Sequence, residues 1–372
     1  MARRTIGKPM FLADIPSYIK LKMQHQAISD GIIDNITQEV PQTDSVWNLD
    51  PVALQSFPIT GDINKQSFAF YFDYQNPNIV GDNYLQEIHH LVSHITQSET
   101  TGLYGGILGH NLLNIKDSFG ENLLSVKFNL LDTAGQAQIQ NDEEEIINYS
   151  SQMAEYNGYS LWKINNFSAN VTNTNRAKIG LLFETSGANF LQNFQTQSID
   201  IGSITFGRWF LPEHSFDIQA TIIKENDGIK RKKTIGGNTI TNVNFLGSES
   251  WGDLPAWTLG KQKNADYKTV GQTGRRSWKV SLSYIQDDNM FTKHTNENQF
   301  FDYDIDTDTY TFDSSLGSFF GLTFDGQIPF LFCPDNNAEN LEFAKCVITN
   351  KPTFKQVANN LFSTSLVLTE VF

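Results

Sequence analysis

Two short runs, Gly102–Leu112 and Ile199–Phe210, constrain this chain more than any other part of it. Each is an apolar stretch interrupted by glycine: Gly102, Gly105, Gly106 and Gly109 in the first, Gly202 and Gly207 in the second. Glycine weakens a strand and is kept there where another strand or a turn must pass close to the backbone. Both runs therefore read as buried strands, and together as the two ends of one β-sandwich module.

Period-two alternation extends that reading along the chain. Phe68, Phe70, Phe72 and Tyr74 fall on one face of an expected strand, as do Phe216, Ile218, Ala220 and Ile222. Trp278, Val280, Leu282 and Tyr284 alternate with Ser277, Lys279, Ser281 and Ser283, and the chain's last residues alternate from Phe362 through Glu370 to Phe372. Such alternation gives a sheet one packed face and one wet face, the mark of antiparallel pairing. Asn and Gly punctuate the strands, as at Asp227-Gly228, Gly236-Gly237 and Asp325-Gly326. The 28 Phe, 12 Tyr and 6 Trp belong on half-buried pleated surfaces. Helical spacing is confined to 83–97, where Tyr84, Leu85, Ile88, Leu91, Val92 and Ile95 form a stripe, to 143–153, and to one turn within 355–361. The expected class is mainly β: a jelly-roll β-sandwich plus a second antiparallel β-domain, with few short helices.

Charge narrows the partners. A net charge of −14 opposes nucleic-acid binding, which needs a basic face. The local exception, Lys230-Arg-Lys-Lys233, follows the turn signal Asn226-Asp-Gly228 and reads as an exposed strand whose lysines discourage edge pairing. No apolar run approaches the ~18 residues of a membrane span, and no apolar segment follows the basic start Met1-Ala-Arg-Arg4, so neither membrane insertion nor signal-peptide export is expected. Cys333 and Cys346, with no Cys-x-x-Cys partner, are expected as free buried thiols.

Four constellations bear on chemistry. Glu87, His89, His90 and His94 would place two histidines one helical turn apart, a zinc-compatible spacing without a third ligand. Asp302, Asp304, Asp306 and Asp308 would share one face of an extended strand, where a Ca²⁺ would relieve their repulsion; Asp313 even takes the twelfth position of a calcium loop. Thr307 stands where that loop needs glycine, which favours a solvated acidic loop and no cofactor. His110 and Asn111 offer hydrogen bonds to sugar hydroxyls, with Trp209 as a stacking face; the alternative is that both satisfy buried backbone groups where the strand turns. Asp287-Asp288 are adjacent and would point to opposite faces of a strand, unsuited to paired-acid glycan chemistry. No nucleophile elbow, P-loop or dinucleotide fingerprint occurs, so an enzyme is not expected.

The run Leu108-Gly-His-Asn-Leu112 resembles a signature of structural proteins of tailed bacteriophages, in which it opens a galactose-binding-like jelly roll. Tyr159–Ile164 is similar to the tryptophan-bearing strand that follows, and Ile201–Gly207 to the closing strand. Arg275-Arg-Ser-Trp278, Pro329–Phe332 and Leu366–Phe372 match later motifs in the same order, while Arg176–Phe183 departs from the family's arginine-rich strand. The resemblance covers roughly residues 100–372. It implies an N-terminal arm and strands over 1–82 contributing to a flanking β-domain, a jelly roll over 83–211 and an antiparallel tail domain over 212–372. It further implies a distal-tail-like or baseplate subunit, made in the host cytoplasm and carried in the virion tail, forming a homo-oligomeric ring with other tail proteins. Host-surface glycan binding by the jelly roll is the alternative, and a glycan-degrading tail enzyme a third reading.

Overall fold

Side-chain alternation builds the sheets of this protein. The computed structural model describes residues 7–22, 29–34, 38–41, 46–49, 55–58, 67–73, 101–110, 124–131, 147–148, 159–164, 178–185, 198–225, 229–243, 275–290, 301–304, 309–312, 316–337 and 343–371. In chain order the first strands are β1 (Met10–Asp14), β2 (Ser29–Asp34), β3 (Gln38–Pro41), β4 (Gln55–Pro58), β5 (Ser67–Asp73), β6 (Thr101–His110), β7 (Leu124–Leu131), β8 (Ile147–Asn148), β9 (Tyr159–Ile164), β10 (Lys178–Thr185) and β11 (Ser198–Phe210). There follow β12 (Thr221–Glu225), β13 (Ile229–Lys233), β14 (Thr239–Val243), β15 (Arg275–Gln286), β16 (Phe301–Asp304), β17 (Thr309–Phe312), β18 (Phe330–Cys333), β19 (Ala344–Ile348), β20 (Phe354–Ala358) and β21 (Leu361–Glu370). Among the described residues the helices are α1 (Ile15–Lys22), α2 (Asp287–Met290) and α3 (Leu316–Leu322). The protein is thus mainly β and antiparallel, with few short helices, as the alternation requires.

Two compact units divide the chain: the first holds residues 1–13, 210–291 and 315–372, the second 14–209 and 292–314. The sequence reading sets its divisions at 82/83 and 211/212; the units divide at 13/14 and 209/210, and 292–314 returns to the second.

In the first unit the strand order is β12-β15-β21-β19-β18-β1, with β20 also on β21. The terminal strand β21 is bonded to β15, β19 and β20, so it is central. Thr364, Leu366, Leu368 and Glu370 are buried while Ser365 is exposed, the expected period of two. Along β15, Trp278, Val280 and Leu282 are likewise buried and Lys279 exposed. Tyr284, expected on the same inner face, is instead 65% exposed: the register shifts between Leu282 and Ile285, and Tyr284 takes φ 60°. A bulge of this kind re-aims a side chain, which alternation cannot foresee.

Phe11 sits at the centre of this unit's core, its ring 4.8 Å from Phe319, 5.4 Å from Phe332, 6.2 Å from Phe330 and 6.4 Å from Phe216. Trp278 meets Phe332 edge-on at 5.3 Å, and Phe210 meets Phe319 at 6.1 Å. Offset and edge-on pairs of this sort add ~0.5–1.5 kcal/mol each beyond the area they bury. Cys333 and Cys346 are buried thiols outside any disulfide, as expected. At the turn before β18, Phe324, Asp325 and Gly326 all take positive φ, and a side chain on Gly326 would collide with Ile348. The Asp-Gly signal there marks a position that needs glycine twice over.

Three local expectations are corrected. The strand expected through Phe216–Ile222 does not form: β12 starts at Thr221, Phe216 is buried and Ile218 is fully exposed. The segment is instead pinned at one residue, since Asp217 N–H donates to the Ser281 carbonyl (2.9 Å) and Asp217 Oδ2 accepts from Ser283 Oγ (2.8 Å). The turn of helix expected within 355–361 is a hairpin between β20 and β21, with Asn360 at φ 57°. Asparagine tolerates that left-handed turn position. The helix expected over 143–153 contains β8, where Ile147 and Asn148 pair with Lys163 and Trp162. The helix expected over 83–97, with Glu87, His89, His90 and His94, lies outside the described residues.

The second unit has one sheet in the order β11-β6-β9-β8, with β4 on β11, and another in the order β3-β2-β5-β10-β7. Between β6 and β11 the chain alternates sheets: β6 in the first, β7 in the second, β8 and β9 in the first, β10 in the second, β11 in the first. Repeated crossing between two antiparallel sheets is how a jelly-roll sandwich is wound. Helix α1 opens with Asp14 as its cap, Oδ2 accepting from Ser17 N–H at 2.9 Å, and buries Ile15, Tyr18 and Ile19.

Candidate functional site on strands β6 and β11

The two glycine-broken runs are neighbouring strands of one sheet. Thr101 lies across from Arg208 and Tyr104 from Thr205, and from β6 residue Thr101 to Leu108 every residue is buried. The glycines answer to specific neighbours. A methyl on Gly102 would stand 2.8 Å from Trp209 Nε1, and one on Gly106 would run into Leu161. Gly109 takes φ 65° and turns the chain just beyond the last β6–β9 pair, Leu108 with Tyr159.

That turn brings His110 Nε2 to 2.7 Å from Ser160 Oγ on β9. Both side chains are buried, and burial alone lowers the His110 pKa from 6.5 to about 4, so the ring is neutral at neutral pH. The bond ties the end of β6 to β9. Trp209, the proposed stacking face, is 7% exposed; it lies against Gly102 and has Lys163 Nζ 4.3 Å from its ring centroid. A sugar would have to displace that ammonium, whose cation–π contact already uses the ring. Asn111 lies outside the described residues.

Between His110 and Trp209 runs a buried polar network absent from the sequence reading. Thr205 Oγ1 donates to Asp14 Oδ1 at 2.7 Å, and Tyr104 Oη lies 2.9 Å from the same threonine oxygen. Ser17 supplies both its N–H and its hydroxyl to Asp14 Oδ2. Burial raises the Asp14 pKa despite these bonds and despite Lys20 nearby, and burial with the Asp14 charge raises that of Tyr104 further above its ordinary value. Arg208 is fully buried, donates Nη2–H to Thr101 Oγ1 at 3.1 Å, and is lowered by burial to about 9. Next to this network, Ile204 N–H and Ser203 Oγ both donate to the Val46 carbonyl, docking the 46–49 segment onto β11. One signal for the network is in the sequence: Asp14 before Ile15-Pro-Ser17 is a helix-start pattern. Thr205 and Arg208 inside an apolar strand are the other.

The first unit carries a separate buried pair. Arg276 Nε and Nη2 donate to the two carboxylate oxygens of Glu370 at 3.1 and 2.9 Å, and Arg276 N–H adds a third bond at 3.0 Å. The Arg-Arg-x-Trp run and the terminal strand are thus joined by a bidentate ion pair, with Trp278 beside the guanidinium at 5.2 Å.

Of the acidic run, Asp302 and Asp304 lie on β16. Strand β16 ends at Asp304 and β17 begins at Thr309, pairing Asp302 with Thr311 and Asp304 with Thr309. Asp306 and Asp308 fall outside the described residues, and no cluster of three or more potential metal ligands occurs among those described. No helix among the described residues is long and apolar enough to cross a membrane. No family model, curated protein or solved structure matches the chain.

Proposed function

We propose that this chain is a non-enzymatic structural subunit of a bacteriophage tail or baseplate, acting by assembly and serving as an attachment platform. The virion and the tail come from the ordered motif resemblance between residues 100 and 372. The observation that carries scaffolding over sugar binding is the inward commitment of His110 and Trp209: one is bonded to Ser160 and the other covered by Gly102 and Lys163. Groups that would read a ligand hold neighbouring strands together instead. In this reading the sandwich is a rigid docking body, the partners are further copies and other tail proteins, and no cofactor takes part. Light scattering on the purified protein tests it: a discrete multi-chain mass is expected. Release of reducing ends from host polysaccharide overturns it in favour of an enzyme, and specific capture on a glycan array in favour of a host-recognition module.

A further inference from the structure

The β13–β14 hairpin is the chemical opposite of the β6–β11 pair. From Arg231 to Thr241 every residue is exposed, including Ile235 (110%) and Ile240 (58%). Arg231 and Lys233 stand across from Thr241 and Thr239, while Lys232, on the other face, stands across from Ile240. Both faces thus carry cations. From 229 to 243 there is no Asp or Glu, although the whole chain has 41 acids against 27 Lys and Arg.

Two-stranded hairpins are marginal on their own, yet this one has a braced tip. Thr234 N–H donates to the Asn238 carbonyl (2.8 Å), Gly237 N–H to the Thr234 carbonyl (2.9 Å) and Asn238 N–H to Thr234 Oγ1 (3.1 Å). Gly237 supplies the positive φ of 84° that the turn needs. A pre-shaped arm binds with less ordering cost than a floppy one.

We propose that this hairpin is an arm that docks onto the acidic surface of a second copy of the same chain. The proposal rests on the assembly reading above and names its contact. Charge decides the geometry. Two hairpins meeting about a twofold axis would bring like charges together, whereas a hairpin meeting the remainder of an acidic copy is attracted to it. The hairpin therefore meets a different patch of the second copy, a contact that repeated head to tail closes into a ring. Ile235 and Ile240 provide the apolar area that such a contact buries at its centre. A nucleic acid is the rival polyanion, disfavoured because the chain's net charge of −14 repels it.

The test compares wild-type protein with R231E/K232E/K233E by light scattering at equal concentration, with thermal melting as the folding control. Wild-type protein is expected to be multi-chain and to fall to single chains as salt is raised, and the variant to be single-chain throughout, with a melt equal to that of wild type at the salt where both are single chains. If the variant assembles like wild type, the hairpin contact is wrong while the assembly reading stands. If wild-type protein is single-chain at every concentration and salt, both fail. Salt titration of the wild type gives the same answer without a variant: a mass indifferent to salt overturns the charge argument. Tight binding of a labelled DNA duplex by wild type, lost in the variant, assigns the arm to nucleic acid and overturns the proposal.

Discussion

Strands β6 and β11 and strands β13 and β14 share extended geometry and antiparallel pairing, and they use their polar groups in opposite ways. In the first pair, Tyr104 is bonded to Thr205 and Thr205 to Asp14 of β1, while Arg208 donates to Thr101, and all five are buried. In the second, Arg231, Lys232 and Lys233 are exposed, with two isoleucines beside them. Inside the fold, an unsatisfied polar group costs ~1–3 kcal/mol, which favours partners such as these within the chain. At the surface there is no such requirement, and unmatched cations and apolar side chains remain available to a partner. The side chains that remain available lie on the hairpin, away from the strands whose sequence looked most like a site.

The comparison breaks if buried and exposed changes have similar effects, and the buried ion pair gives the largest contrast. Glu370→Ala leaves Arg276 buried without its carboxylate and is expected to cost ~3–5 kcal/mol, read from the urea midpoint. The double variant R276M/E370L should recover most of that loss, because apolar residues of similar size remove both charges together.

His110 comes next. Its folded pKa of about 4 lies below the ordinary 6.5, so between those values the unfolded chain binds the extra proton. Its contribution is complete above pH 6.5 and is lost as pH falls towards about 4, an expected ~3 kcal/mol that follows from the pKa difference. Stability measured from pH 7 to 4 should show this slope, and His110→Gln should flatten it. Asp14, raised by burial, works in the opposite sense, since protonating it favours the fold.

Gly102→Ala is a smaller test. Its methyl would sit 2.8 Å from Trp209, and the indole must shift away from β6. Overpacking of this kind costs ~1–3 kcal/mol. A melting temperature equal to wild type would show that Trp209 is free to move, and would reopen it as a stacking face. The smallest expected effect on stability is in the hairpin, where R231E/K232E/K233E should stay within ~0.5 kcal/mol of wild type.

Much of the β framework was legible because its signals are local. Glycine placement announced β6 and β11, and alternation announced β21 and most of β15, since both reflect what lies within a few residues. Alternation failed at Phe216–Ile222 and at Tyr284, where one side-chain anchor and one bulge override the pattern. The polar matching was not legible, because the partners are remote. Asp14 meets Thr205 across 191 residues, and Arg276 meets Glu370 across 94. His110 and Trp209 were recognisable as unusual residues, yet nothing in the sequence says that Ser160 and Gly102 would hold them. The basic run at 230–233 reads as an exposed strand and Gly236-Gly237 as a turn; Arg231 to Lys233 are exposed, and β13 and β14 close through Gly236-Gly237 and Asn238.

The central claim is that β6 and β11 hold the fold while β13 and β14 hold the partner. Light scattering and thermal melting on Gly102→Ala beside R231E/K232E/K233E test it most directly. The expected results are a glycine variant that melts earlier yet keeps the wild-type multi-chain mass, and a hairpin variant that runs as a single chain yet melts as wild type does at the salt where both are single chains. A glycine variant that loses assembly at an unchanged melt, with a hairpin variant that keeps it, would contradict the claim.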